Sequence, residues 1–209
     1  MELTAIILAD GSFPVHEIPL GYLRNAEHII CCDGSAKSLL ETGIVPEAIV
    51  GDLDSLSDEI AEKYSDRLYQ DDNQDTNDLT KAVSWCINKG LKEIVILGAT
   101  GKREDHTLGN ISLLAEYAKK IEVIMVTDTG IFSPHLKNCT IPSFAGQQVS
   151  VFSINPDTQI TSSGLKYKLD SLKLHNWWRG TLNEASGDSF DLNFTGGPLI
   201  VFQKFRDKE

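Results

Sequence analysis

The stretch Ile94-Val95-Ile96-Leu97-Gly98-Ala99-Thr100-Gly101-Lys102-Arg103-Glu104-Asp105-His106 runs from a strand through a glycine turn into a helix. Four consecutive apolar residues, three of them β-branched, read as a strand buried on both faces. Gly98 and Gly101 permit a tight turn and a close approach of backbone. Amides in such a turn can receive phosphate oxygens at the start of the following helix. Lys102 and Arg103 add positive charge, and Arg103 can grip a phosphate through two nitrogens. Asp105 and His106 enter the helix, and Asn110 lies one turn beyond His106 on the same side. Taken singly, Asp105 also reads as a helix cap and His106 as a solvated histidine. The glycine-rich loop of P-loop nucleotidases, with its Gly-Lys-Ser/Thr ending, is absent.

The same alternation extends on both sides. Short runs rich in Ile and Val occur at 5–8, 29–32, 48–50 and 123–126. Between them lie helical patterns. Residues 35–42 end at Gly43, and a third helix is predicted over 105–119. Leu79, Ala82, Val83, Cys86 and Ile87 recur at helical spacing before Gly90. This alternation predicts an α/β domain with a largely parallel sheet. Beyond about residue 127 the helical periodicity stops. Alternating runs at 149–154, 164–169, 190–194 and 199–202, separated by turn residues, predict a smaller all-β sandwich. The change of pattern falls between 127 and 140, which divides the chain into domains 1–130 and 131–209.

Two further acidic segments accompany the first. Gly51-Asp52-Leu53-Asp54-Ser55 follows the run at 48–50, and Gln74-Asp75-Thr76-Asn77-Asp78 precedes the helix of Leu79. If residues 52–54 are extended, Asp52 and Asp54 face one side and Leu53 the other. Two carboxylates about 4 Å apart repel by roughly 4 kcal/mol at an effective dielectric near 20. A bound Mg²⁺ turns that repulsion into coordination. An isolated pair of this kind reads more simply as a turn and a cap for a helix near Ser57; the company of the other segments reverses that weighting. Asp75 suits a helix start, and Asp78 can supply a third metal ligand. Asp33-Gly34 follows another strand end, at 29–32. In an open α/β sheet, these carboxyl ends are where ligands bind.

Composition narrows the classes. The chain has 209 residues, 41% of them apolar, and a net charge of −11. That charge argues against nucleic acid as a partner but not against a nucleotide carried by a divalent cation. Cys31, Cys32, Cys86 and Cys139 form no C-x-x-C pair and read as free thiols. The first ten residues do not resemble a signal peptide, and no run approaches a membrane span. The expected setting is cytoplasmic, without a membrane partner.

These motifs, in this order, resemble the thiamine pyrophosphokinase family. The resemblance rests on Asp33-Gly34-Ser35-Ala36, Pro46 with Gly51-Asp52-Leu53-Asp54-Ser55, Gln74-Asp75 with Asp78-Leu79, and Gly98, Gly101, Arg103, Asp105-His106 and Asn110. It implies transfer of diphosphate from ATP to the hydroxyl of thiamine, with Mg²⁺, giving thiamine diphosphate and AMP. It implies that Asp52, Asp54 and Asp78 hold the metal and polyphosphate. Arg103 would stabilise developing charge, and Asp105 would orient the thiamine hydroxyl or take its proton. Asp33, Gly34, Ser55, Gln74, Asp75, His106, Asn110 and Asn183 would bind nucleotide or thiamine. A homodimer with thiamine held between chains is also implied. Gly164-Leu165-Lys166-Tyr167 fits the family, whereas Leu182 replaces a serine in Leu182-Asn183-Glu184. Lys102 stands where a glycine is common, and Asn77 where a threonine is. Trp177 and Trp178 can stack on a thiamine ring, or pack in the sandwich or at a dimer interface. Three other activities fit the residues: diphosphate transfer to another heterocyclic alcohol such as a hydroxymethylpterin, phosphate-ester hydrolysis, and binding without catalysis.

Overall fold

The computed structural model of the chain describes residues 4–206. They fall into two compact units, Met1–Ile111 with Lys120–Asp128, and Ser112–Lys119 with Thr129–Glu209. The end of a helix, Ser112–Lys119, is grouped with the second unit.

The first unit alternates strands and helices in the order β1 (Thr4–Leu8), α1 (Glu17–Asn25), β2 (His28–Cys32), α2 (Ala36–Leu40), β3 (Ala48–Gly51), α3 (Asp58–Lys63), β4 (Leu68–Gln70), α4 (Asp78–Asn88), β5 (Glu93–Leu97), α5 (Glu104–Tyr117) and β6 (Glu122–Val126). Its strands lie in the order β4-β3-β2-β1-β5-β6, and every pair among them is parallel. Ile6, Ile7, Leu8, Ile30, Ile49, Ile94, Ile96 and Leu97 are fully buried. Each such side chain contributes roughly 1.5–3 kcal/mol by leaving water. The α4 stripe closes one face with Leu79, Ala82, Val83 and Cys86, all buried. The strand order reverses between β1 and β5, so a crevice opens beyond their carboxyl ends.

Two elements, α1 and β4, escape the sequence pattern, and the helix read near Ser57 is α3. Helix α1 carries Pro19 and Gly21, α3 buries no side chain at all, and β4 is three residues long. No helix among the described residues is long and apolar enough to cross a membrane.

The second unit is an antiparallel β sandwich. Its strands are β7 (Gly130–His135), β8 (Cys139–Pro142), β9 (Gln148–Ser153), β10 (Gln159–Ser163), β11 (Leu172–Lys173), β12 (Asn183–Glu184), β13 (Ser189–Thr195) and β14 (Leu199–Lys204). One layer runs β12-β9-β14-β7, the other β11-β10-β13-β8. Val149, Val151, Leu199 and Val201 of the first layer meet Ile141, Ile160, Phe190 and Leu192 of the second in a common core. The strand expected at 164–169 is a loop instead. Gly164 has φ +74°, and Ser162 and Leu169 close the loop: the Ser162 amide donates to the Leu169 carbonyl at 2.9 Å, and the Leu169 amide donates to Ser162 Oγ at 2.9 Å.

Candidate active site

A cleft of about 340 Å³ lies in the first unit, where the segments after β1, β2 and β5 meet the start of α4 and the first turns of α5. Asp33, Ser55, Asp78, Arg103, His106 and Asn110 all line it, together with Asp10 and Lys102. Four segments read from the sequence as a common rim are therefore brought together.

Asp33 is the buried member, 3% exposed. Its Oδ1 accepts the Gly34 amide at 2.6 Å, while Oδ2 is buried with no hydrogen bond from the described residues. Burial raises its carboxyl above the usual range, and the charges of Asp78 and Asp52 add to this against the Gly34 amide. The carboxylate fits only because position 51 is glycine: a Cβ there would stand 2.8 Å from Asp33 Cγ.

Asp52 and Asp54 join Asp33 by a different geometry from the extended one expected. Leu53 has φ +68°, so the segment turns, and alternation does not place the two carboxylates. One oxygen each from Asp33, Asp52 and Asp54 still lies within 4.8 Å of the others. Asp52 is held below the usual carboxylate range. Desolvation opposes this but is outweighed by the Asp54 amide, the charge of Lys81 and the Gln74 side chain. Ser55 Oγ donates to Asp54 Oδ1 at 3.1 Å. Ser57, not Asp54 or Ser55, caps α3, accepting from the Ile60 amide.

Asp78 lies outside that trio. Its Oδ1 accepts from Lys81 Nζ at 3.0 Å, and Lys81 has a side chain only 3% exposed. Desolvation depresses the Lys81 ammonium, but the hydrogen bond to Asp78 and the charges of Asp52 and Asp71 raise it on balance. A buried lysine of this kind is tolerated because it is paired. It escaped the sequence reading because it lies two residues after Leu79, off the apolar stripe of α4. Asp75 is exposed and its amide donates to Asn73 Oδ1; Asn77 caps α4 through Thr80.

The loop after β5 is held by backbone bonds that prolong the β1–β5 pairing. Gly11 N donates to Gly98 O at 2.6 Å and Ser12 N to Thr100 O at 2.7 Å. Gly98 and Gly101 have φ +65° and +93°, where side chains are disfavoured. Asn110 acts as a strut, accepting from Asn77 Nδ2 at 3.2 Å and donating to Ala99 O at 2.9 Å. Arg103 and Asp105 form a bidentate pair, with Nε on Oδ1 at 3.1 Å and Nη2 on Oδ2. The Arg103 hydrogen bonds bring the Asp105 carboxyl down to about 2. In the free protein the Asp105 carboxylate is thus engaged by Arg103. Lys102 Nζ rests on Asp10 Oδ1 at 2.8 Å. Asp10 was also missed, although Ala9-Asp10-Gly11 follows β1 just as Asp33-Gly34 follows β2.

The second unit contributes differently. Asn183 is 5% exposed, and its side chain is spent on accepting the Tyr167 amide at 3.1 Å and donating to the Tyr167 carbonyl at 2.8 Å. It positions Tyr167 rather than presenting itself. Tyr167, Trp178 and Leu182 are exposed, and Leu182 sits at φ +60°. Trp177 packs inward, tilted on Phe152 at 5.6 Å with its Nε1 on Ser153 O.

A hard divalent cation such as Mg²⁺ suits the first-unit trio: the donors are all carboxylate oxygens, and Asp33 Oδ2 is buried with no hydrogen bond from the described residues.

Known proteins resemble both parts of the chain. Residues 20–125 match the family model "Thiamin pyrophosphokinase, catalytic domain", and residues 130–202 match "Thiamin pyrophosphokinase, substrate-binding domain". The chain is 35% identical to "Thiamine pyrophosphokinase" of Bacillus subtilis over 96% of this chain and 98% of that one. It is 32% identical to "Thiamine pyrophosphokinase 1" of Oryza sativa subsp. japonica over 62% of this chain, spanning only 54% of that protein's length. The crystal structure of the Bacillus subtilis protein superposes with a TM-score of 0.80 at 27% identity, covering 98% of this chain and 100% of that one.

Proposed function

This chain belongs to the thiamin pyrophosphokinase family, and on that premise we propose that it transfers the terminal diphosphate of ATP to the hydroxyl of thiamine, releasing AMP. The observation that carries the reading is the carboxylate trio beside a cleft lined by Lys102, Arg103 and His106. Such a site opposes the charge of a polyphosphate with cations and offers oxygen ligands for its metal. Asp33, Asp52 and Asp54 are the residues that would hold Mg²⁺. When bound, the ion neutralises phosphate oxygens and polarises the reacting phosphorus.

The chain's own residues do the rest by position. The thiamine hydroxyl oxygen bonds to the β-phosphorus, and the bridge to the α-phosphorus breaks, its oxygen leaving with AMP. Arg103, aimed by Asp105, stabilises the charge that develops there. Lys81 holds Asp78 in place at the cleft wall. A loose transition state asks little of a base, so the hydroxyl proton departs late, to phosphate or solvent. His106 borders the nucleotide, and Gln74 orients Asp52. The sandwich unit, with Tyr167, Trp178 and Leu182 exposed, supplies the thiamine contacts, and the working form is a homodimer. A cytoplasmic setting belongs to the same proposal, since the four cysteines are free thiols of the kind a reducing compartment maintains.

Incubation with thiamine, ATP and Mg²⁺, followed by mass spectrometry of both products, tests the reading. AMP with thiamine diphosphate is expected. ADP with thiamine monophosphate overturns it, as does phosphate released without any acceptor. Light scattering on the eluted protein should give twice the chain mass.

A further inference from the structure

Lys102 lines the cleft, yet it takes part in neither the carboxylate trio nor the Arg103–Asp105 pair. Its ammonium rests on Asp10 Oδ1 at 2.8 Å, reaching from the loop after β5 to the loop after β1. Both side chains remain about half exposed, at 56% and 49%. Asp10 itself is seated against Gly34, where a Cβ would stand 2.7 Å from its Oδ2.

The pair is not what joins the two loops. The Gly11–Gly98 and Ser12–Thr100 backbone bonds do that. An ion pair this exposed adds little to stability. Lysine is also a mobile point charge on a flexible stem, with three donors that can be redirected. The contact is therefore weak enough to exchange, and a polyphosphate offers more negative charge than one carboxylate.

We propose that Lys102 is a polyphosphate ligand of this cleft, parked on Asp10 in the free protein and transferred to the donor's phosphates on binding. Asp10 is then an internal competitor that tempers affinity for polyphosphate anions. The inference rests on the diphosphate-donor reading of the site.

Calorimetric titration of the intact protein with ATP and, separately, with inorganic tripolyphosphate tests it, both with Mg²⁺ present. Lys102→Met should weaken both ligands about tenfold at low salt, with the difference shrinking as salt rises. Lys102→Arg should retain most of the affinity. Asp10→Asn should act in the opposite direction and tighten both ligands a few-fold. A purely structural brace would not give opposite signs for its two partners. Lys102→Met binding within twofold of wild type overturns the proposal. So does Asp10→Asn weakening both ligands as much as Lys102→Met, because the pair is then only a brace. Failure of the donor reading looks different: the wild-type protein then yields no AMP and thiamine diphosphate, and the inference falls with it.

Discussion

In the first unit, charged side chains gather where parallel strands end, and they come in pairs: Asp78 with Lys81, Asp105 with Arg103, Asp10 with Lys102. In the second, loops of the sandwich present Tyr167, Trp178 and Leu182 to solvent, while the polar Asn183 is turned inward to hold Tyr167. One region concentrates charge and compensates it locally. The other spends its hydrogen bonds on loop shape and leaves apolar surface outside. Each suits a different half of the proposed reaction, a polyphosphate for the first and an aromatic alcohol for the second.

The largest effect should come from Asp54→Asn. Losing an exposed carboxylate of the trio should lower turnover by at least about 10³-fold, the scale of a lost electrostatic group at a reacting centre. The melting temperature should stay within about 2 °C of wild type, as for surface changes generally. If scanning calorimetry instead finds the fold lost, the first region serves the fold more than the chemistry, and the contrast breaks.

Next comes Gly51→Ala. Its Cβ would strike the Asp33 carboxylate at 2.8 Å, and such overpacking costs about 1–3 kcal/mol. Displacing Asp33 should also lower turnover about 10²-fold, by misplacement alone. Gly187→Ala, in the second unit, is the control. No atom lies within 4 Å of the added carbon there, and urea denaturation should find little change.

Acidification should separate the units by sign. Burial pushes Asp33 up, so its ionised form destabilises the fold. That penalty is relieved as pH falls through the raised value towards the ordinary 3.8. Burial pushes His135 down from 6.5, so its contribution is present above 6.5 and lost as pH falls through that value. Hydrogen exchange at pH 7 and pH 5 should show the second unit loosening more than the first. His135→Gln should remove part of that difference; equal loosening of both units would erase this side of the contrast.

Leu182→Gly should be the smallest effect. A left-handed leucine carries about 1 kcal/mol of steric cost, and glycine should recover about 0.5 kcal/mol of it after its own entropic penalty. The same change should raise the KM for thiamine more than that for ATP. A larger effect on ATP would show that the two regions do not divide the substrates.

The sequence revealed the regions unequally. The strands of the first unit are doubly buried, so Ile and Val runs mark them directly, and the residues just past each strand end are its neighbours in sequence. Lys81 was not readable, because its burial is tolerable only through Asp78 and Asp52, contacts that require the fold. Leu53 concealed its turn, since nothing about leucine announces a positive φ. The period-two pattern Leu165-Tyr167-Leu169 imitated a strand, but Ser162 closes it into a loop. Asp105 looked like a free carboxylate until Arg103 was seen to hold it from two residues away.

The backbone bonds that carry the β1–β5 pairing past the last strand residues have a thermodynamic consequence. Gly11 and Ser12 belong to a connecting segment, yet their amides are engaged like those of a strand. A floor already ordered in this way has little conformational freedom left to surrender when a substrate arrives. Binding there should therefore carry a small ordering penalty, and the Gly11 and Ser12 amides should exchange with solvent on the slow timescale of the sheet and not the fast one of a loop.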